Sequence, residues 1–138
     1  MYRESIFNGF KKGIATLWTL AKIVVPVYFF VTFLRYTPLL NNISDFFEPG
    51  MKILGLPGEA AVPLVLGNFI NLYAGIGAMA SLTLTTKQAT ILAIMLSFSH
   101  SLLLESAVVK KAGVSLALVI LIRVILALVS GIIFNLIL

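Results

Sequence analysis

Four long hydrophobic stretches alternate with short polar segments along the chain, and they predict helices that cross a membrane. They cover about residues 13–34, 60–82, 86–104 and 114–138. Each is close to the ~20 apolar residues that a helix needs to cross a hydrocarbon core of about 30 Å. The pattern therefore predicts an all-α integral membrane protein, a single domain over residues 1–138, with about four transmembrane helices.

The segments on either side of the first stretch have a mixed character. Residues 1–12 combine aromatic and charged side chains, which is typical of an amphipathic helix lying in the membrane interface. We expect the first span to be retained, since Lys22 and Pro26 interrupt it and no small-residue cleavage site follows. Pro26 also predicts a kink. Residues 35–58 predict a loop and a short interfacial helix.

Composition supports a membrane setting and excludes several other classes of protein. Hydrophobic residues make up 60% of the chain and charged residues 11%, whereas soluble domains carry about 25% charged residues. The net charge is +5, and apart from Lys22 and Arg123 the basic residues lie at segment ends, which favours attraction to anionic lipid headgroups over nucleic-acid binding. Cysteine is absent, so disulfides and thiolate metal sites are excluded. No catalytic motif is present, and we expect no enzyme activity, no metal and no cofactor.

Two cations, Lys22 and Arg123, lie near the middle of hydrophobic stretches. A cation at that depth costs roughly 2.5–3.5 kcal/mol on insertion scales, so each must face protein, water or a bound anion. One interpretation is structural, in which Arg123 pairs with Glu105 or with exposed carbonyls and Lys22 has a similar role. The other is that both cations attract an anionic solute. In either case we expect a charge network of Lys22, Glu105 and Arg123.

The second stretch is rich in glycine and asparagine near its centre. On a regular helix Asn68, Asn71 and Gly75 fall within about 60° of one another. Gly67 extends the same stripe. The stripe is either a packing face with amide groups bonding between helices, or the break in a discontinuous helix that binds a solute or ion at the midplane. Both interpretations remain open at this stage.

The third stretch carries a polar stripe and begins at a predicted N-cap, Thr85 or Thr86. Ser97, His100 and Ser101 lie on this stripe with Glu105 close to it, which places them against a neighbouring helix or a water-filled cavity. His100 is the only histidine, and it is either a structural hydrogen bonder or a group that binds a proton or ligand. The candidate solute-binding residues are Asn68, Asn71, Gly75, Ser97, His100 and Ser101.

The basic residues give a prediction about orientation. Four crossings would divide them evenly between the two sides of the membrane, and the positive-inside rule needs an imbalance to fix orientation. One side would hold Arg3, Lys11, Lys12 and Lys87, and the other Arg35, Lys52, Lys110 and Lys111. The even count predicts insertion in both orientations and an antiparallel homodimer.

Several tracts between Gly55 and Gly113 resemble the nucleoside-recognition, or Gate, domain family, which includes spore maturation A and B proteins and the membrane domains of ferrous-iron transporters. They are Gly55-Leu56-Pro57-Gly58-Glu59, residues 67–75, residues 84–90 and residues 100–113. The resemblance implies half of an inverted-repeat transporter in a prokaryotic inner membrane, moving a small polar or anionic solute or an ion. The spore-maturation resemblance also allows a scaffold that transports nothing.

Overall fold

The described residues form helices and connecting turns without a strand. The structure is a computed structural model and describes residues 2–111 and 113–138, so Met1 of the predicted interfacial helix lies outside the described residues. The helices are α1 (Tyr2–Arg35), α2 (Pro38–Ile53), α3 (Ala61–Phe69), α4 (Leu72–Ser81), α5 (Thr86–Ser99), α6 (Leu102–Lys111) and α7 (Leu116–Ile137), with a 3-10 turn at Gly58–Ala60. The all-α prediction is confirmed.

Among the described residues, three segments are long and apolar enough to cross a membrane. They are Tyr2–Arg35, Thr86–Ser106 and Leu116–Ile137, and they correspond to the first, third and fourth predicted spans. The first contains both residues 2–12 and the predicted span in one continuous helix, which passes through Pro26. At 1.5 Å per residue its 34 residues extend over about 51 Å, well beyond a hydrocarbon core of about 30 Å.

The prediction of one span over 60–82 is wrong, because this segment folds back on itself as a helical hairpin of α3 and α4. A methyl group placed on Gly75 would lie 3.0 Å from the Gly67 Cα and 3.1 Å from the Pro63 carbonyl oxygen. Residues this far apart in sequence would be well separated along one straight helix. The helices have 9 and 10 residues, or about 14 and 15 Å, so neither reaches across a membrane.

Several contacts place both ends of the hairpin on one side of the bundle, which we call the Arg35 end. The Arg35 guanidinium donates to the Ser81 carbonyl at 2.7 Å, at the close of α4. The Lys87 ammonium donates to the Asn135 carbonyl at 2.8 Å, which ties the start of α5 to the close of α7. Asn135 in turn donates to the Ile53 carbonyl at 3.3 Å, at the close of α2. The opposite side, where α6 closes and α7 begins, is the Lys110 end.

With one crossing fewer, the basic residues no longer divide evenly. Three crossings would place residue 2 and residue 138 at opposite ends and would remove the even count, so insertion in both orientations stays a prediction that the count no longer supports. Five against three is an imbalance of the kind that the positive-inside rule uses to fix orientation. The Lys110 end holds Arg3, Lys11, Lys12, Lys110 and Lys111, and the Arg35 end holds Arg35, Lys52 and Lys87.

Helix α5 occupies the centre of the bundle, against α7 on one side and the hairpin on the other. Its residues Ile91, Leu92 and Leu96 are fully buried. Methyl groups placed on Gly67 and Gly75 would meet the Leu96 side chain at 2.5 and 3.2 Å. Because neither glycine has a side chain, α3 and α4 approach each other closely and both pack against the Leu96 side chain.

Candidate functional site

The tip of the hairpin is a break between two short helices. Helix α3 ends at Phe69, and Asn71 has an extended backbone (φ −170°, ψ 167°) immediately before α4. The Asn71 Oδ1 accepts a hydrogen bond of 3.0 Å from the Ala74 N–H, which satisfies one of the free donors at the start of the helix. Asn71 therefore starts α4, and its side-chain oxygen is engaged by the backbone.

A second break interrupts the third span between α5 and α6. His100 follows the last residue of α5, and Ser101 has a left-handed backbone with φ +54°, which is uncommon for a residue with a side chain. The Ser101 N–H donates to the Gly67 carbonyl at 2.9 Å. This bond joins the two breaks, because Gly67 lies in the last turn of α3.

Arg123 on α7 holds the second break together. Its Nε donates to the Phe98 carbonyl at 2.7 Å and its Nη2 to the His100 carbonyl at 3.0 Å. Its Nη1 donates to the Glu105 carboxylate. A planar guanidinium suits such a site because it presents several donors in a fixed fork. Arg123 thus binds carbonyls freed at the close of α5 and pairs with an acid on α6, so both proposed structural partners are present at once.

His100 lies between the carbonyl of the preceding turn and the same carboxylate. Its Nδ1 is 2.8 Å from the Leu96 carbonyl, and since a carbonyl only accepts, we assign the ring hydrogen to Nδ1. Its Nε2 then faces the Glu105 Oε1 at 3.7 Å. Arg123 donates to the other carboxylate oxygen, Oε2, so the two side chains approach Glu105 at different oxygens.

Asn68 contributes an unsatisfied acceptor to the hairpin. Its Nδ2 donates to the Leu64 carbonyl at 2.7 Å, whereas its Oδ1 is buried and has no hydrogen-bond partner. Buried polar atoms are nearly always paired, so such an atom calls for an explanation by an unseen water, ion or ligand. Of the two predicted asparagines, only Asn68 has a side-chain oxygen left for a solute.

The remaining predicted residues lie apart from this cluster. Gly75 is buried against Gly67 and has no exposed backbone for a solute. Ser97 donates to the Ile94 carbonyl and lines an apolar groove of about 560 Å³ between α4 and α5. Lys22 lies 5.8 Å from the centre of the Trp18 ring and makes no ion pair among the described residues.

The described charged cluster encloses almost no cavity, although the Glu105 side chain is itself 45% exposed. The cavity that Glu105 and Arg123 line has a volume of only about 10 Å³. The carbonyls of Phe98 and Gly67 belong to the site but were not predictable from the sequence, because every residue has a backbone carbonyl. At position 67 the residue type, glycine, was the one feature of the sequence that indicated an unusual backbone environment.

The arrangement defines a class: helical membrane proteins with two discontinuous helices that meet inside the bundle. The comparison with known families is specific. The family model described as Gate, nucleoside recognition, matches residues 17–128, so the chain belongs to the Gate nucleoside-recognition family, as the sequence resemblance predicted.

Individual relatives extend this assignment. The chain is 46% identical to the uncharacterized membrane protein YvoD of Bacillus subtilis over 98% of its own length and 43% of that protein. It is 29% identical to the Fe(2+) transporter FeoB of Legionella pneumophila over 67% of its length and 12% of FeoB. It is 28% identical to the uncharacterized protein MJ0880 of Methanocaldococcus jannaschii over 85% of its length and 42% of that protein. The chain thus spans less than half the length of these relatives. No solved structure matches it significantly.

Proposed function

We propose that the chain is one unit of a small transporter in a prokaryotic cytoplasmic membrane, moving a small polar solute or an ion. The observation that carries this proposal is the hydrogen bond between the Ser101 N–H and the Gly67 carbonyl, which joins two helix breaks within the bundle. Irregular backbone at membrane depth is tolerated only where it is buried in protein or lines a water-filled cavity. Paired broken helices at the midplane are a recurrent form of transporter site.

The chemistry of the cluster favours a solute without a strong negative charge. Arg123 is neutralised by Glu105 and engaged by two carbonyls, so it offers little free positive charge to an anion. The groups left for a solute are the unpaired Asn68 oxygen and the Nε2 edge of His100. Both accept hydrogen bonds when the imidazole is neutral, which suits a solute that donates, such as a nucleoside, or a cation.

A complete transporter would need a second unit. Three crossings carry the chain from one end of the bundle to the other, so a unit joined after it would insert upside down. The relatives YvoD and MJ0880 are more than twice as long as the segment they share with this chain, which leaves room for such a unit. We therefore propose an inverted pair with the solute site between its members. A homodimer, as predicted, would need one sequence in both orientations, which the uneven charge disfavours.

A scaffold or assembly protein is the second candidate function. It is favoured by the small cavity beside Arg123 and by the apolar lining of the larger grooves, of which one, between α1, α2 and α3, has a volume of about 420 Å³. A scaffold needs a closed, stable bundle and no path for a solute, and the single chain satisfies that requirement.

Thermal unfolding in mild detergent distinguishes the two functions. The native assembly is tested against nucleosides, ferrous salts and organic acids, and a solute at 100 times its Kd would add about 2.7 kcal/mol to the free energy of unfolding. We expect Asn68→Leu to remove the stabilisation. Asn42→Leu, at an exposed position on α2, is the matched control and should keep it. If no solute stabilises the protein and none enters proteoliposomes, the scaffold is the correct function.

A further inference from the structure

Within the part of the chain that the structure describes, Lys22 is a cation without a counter-charge at the depth of the functional site. It precedes Arg35 by 13 residues, or about 20 Å of helix from the Arg35 end. Arg123 precedes Asn135 by 12 residues, or about 18 Å from the same end. The two cations therefore lie at about the same depth. Arg123 has its acid, whereas the described contact of Lys22 is with the Trp18 ring.

The side of α1 that carries Lys22 points away from the rest of the bundle. Val31 is fully buried, and at 100° per residue it lies about 180° around the helix from Lys22. Ala15 and Thr19 fall on the Lys22 side, and the Thr19 hydroxyl donates back to the Ala15 carbonyl at 3.0 Å. The hydroxyl is thus satisfied within α1. Trp18 lies about 40° around the helix from Lys22 and is 66% exposed. The surface that remains therefore combines two small side chains, at which a second helix can approach closely, with one aromatic ring and one cation.

Among the described residues no carboxylate at the depth of Lys22 is available to it, and a second copy of the chain would bring the same set. Glu105 is the acid at membrane depth among the described residues, and Arg123 already occupies it. The others lie toward the two ends of the bundle, where α1 begins and where α2 and the 3-10 turn lie. They are Glu4, Asp45, Glu48 and Glu59.

We propose that Lys22 receives a carboxylate from a second, non-identical membrane unit that is inserted in the opposite orientation and packs on the Ala15–Thr19–Lys22 face of α1. The inference rests on the two-unit architecture proposed above and identifies the partner by its chemistry. An embedded lysine facing lipid is costly, and an acid on the neighbouring helix removes that cost. The uneven distribution of basic residues orients every copy of this chain alike, so the inverted unit has a different sequence.

The part of YvoD outside the segment shared with this chain serves as the probe, produced as a separate polypeptide in the same membrane. We expect the tagged chain to retain it through purification in mild detergent. Lys22→Gln should lower retention at least tenfold at matched expression, and Lys22→Arg should restore it. Lys12→Gln, on the same helix but near its basic start, is the matched control and should behave as the parent chain.

Orientation is measured in the same membranes. The chain has no cysteine, so single cysteines at Gly9 and Thr83 report the two ends without background, and each should be labelled from one side only. Labelling of both positions from both sides, or equal retention of the probe by Lys22→Gln and the parent, would overturn the proposal. The retention assay contains no solute, so it can fail while solute-induced stabilisation succeeds, and the reverse.

Discussion

Replacing Arg123 should affect stability more than replacing Glu105, although the two residues form one ion pair. Arg123→Gln removes the fork from two carbonyls and strands the Glu105 charge. Interhelical hydrogen bonds in membranes are worth about 0.6–2 kcal/mol each, and stranding one member of a buried pair costs about 3–5 kcal/mol. Glu105 is about half exposed in the isolated chain, so we reduce the stranding cost to about 1–2 kcal/mol. With about 2 kcal/mol for the two carbonyl contacts, the expected loss is about 3–4 kcal/mol.

Glu105→Gln should cost less, about 1–2 kcal/mol, because the amide oxygen still accepts from Arg123 and both carbonyls keep their donors. The double variant should resemble the loss of the carbonyl contacts alone, about 2 kcal/mol. It should thus be more stable than Arg123→Gln but not more stable than Glu105→Gln. Reversible unfolding in mixed micelles measures all four free energies. Equal losses for the two single variants, or strict additivity in the cycle, would refute this account of Arg123.

Two further substitutions test the hairpin. Gly75→Ala should destabilise the bundle by about 1–2 kcal/mol, because overpacking against the Gly67 backbone costs more than the gain in helix propensity. The control is Gly50→Ala, where an added methyl group meets nothing within 4 Å and should be neutral or stabilising. Equal effects of the two substitutions would contradict the close packing of the hairpin. Asn71→Leu should cost about 0.5–2 kcal/mol by removing the helix cap, whereas Asn71→Ser should keep most of it. Unfolding in detergent measures both, and loss of solute binding in a stable Asn71→Ser would instead show that the amide contacts the solute.

Segments with one consistent pattern were predictable from the sequence. The long apolar runs identified α1, α5 and α7 because a membrane span is defined by length and hydrophobicity, which are local properties. The start of α5 was also predictable: Thr85 accepts from the Gln88 N–H while the Gln88 side chain accepts from the Thr85 N–H, which is the sequence signature of a capping box.

The hairpin was not predictable in the same way. Residues 60–82 are hydrophobic whether the chain runs straight or reverses at Ile70. The length of this hydrophobic stretch therefore favoured one membrane-spanning helix over a hairpin. Gly67, Asn71 and Gly75 did mark the segment as irregular. Gly67 and Gly75 lie directly against each other, and the Leu96 side chain of α5 packs against both. Such contacts between separate helices have no local signal in the sequence.

The second break left even less trace in the sequence. Ser101 adopts a left-handed backbone conformation. A glycine or an asparagine at this position would have indicated that conformation in the sequence, whereas a serine does not. It is held there by the Gly67 carbonyl and by the Arg123 contacts with the flanking residues. The ion pair was foreseeable from the rule that embedded charges need partners. The capping of α5 by the same guanidinium depends on where the helix ends, which only the fold determines.

The bond between Ser101 and Gly67 has a consequence for the order in which the chain enters the membrane during synthesis. Helices α3 and α4 are too short to be inserted as spans when they leave the ribosome. The Gly67 carbonyl receives its donor only after Ser101 has been made, and an unpaired carbonyl in hydrocarbon costs several kcal/mol. We expect the hairpin to wait at the membrane surface until α5 has crossed, so that nascent chains halted before Ser101 expose the hairpin to water-soluble labels and longer ones protect it.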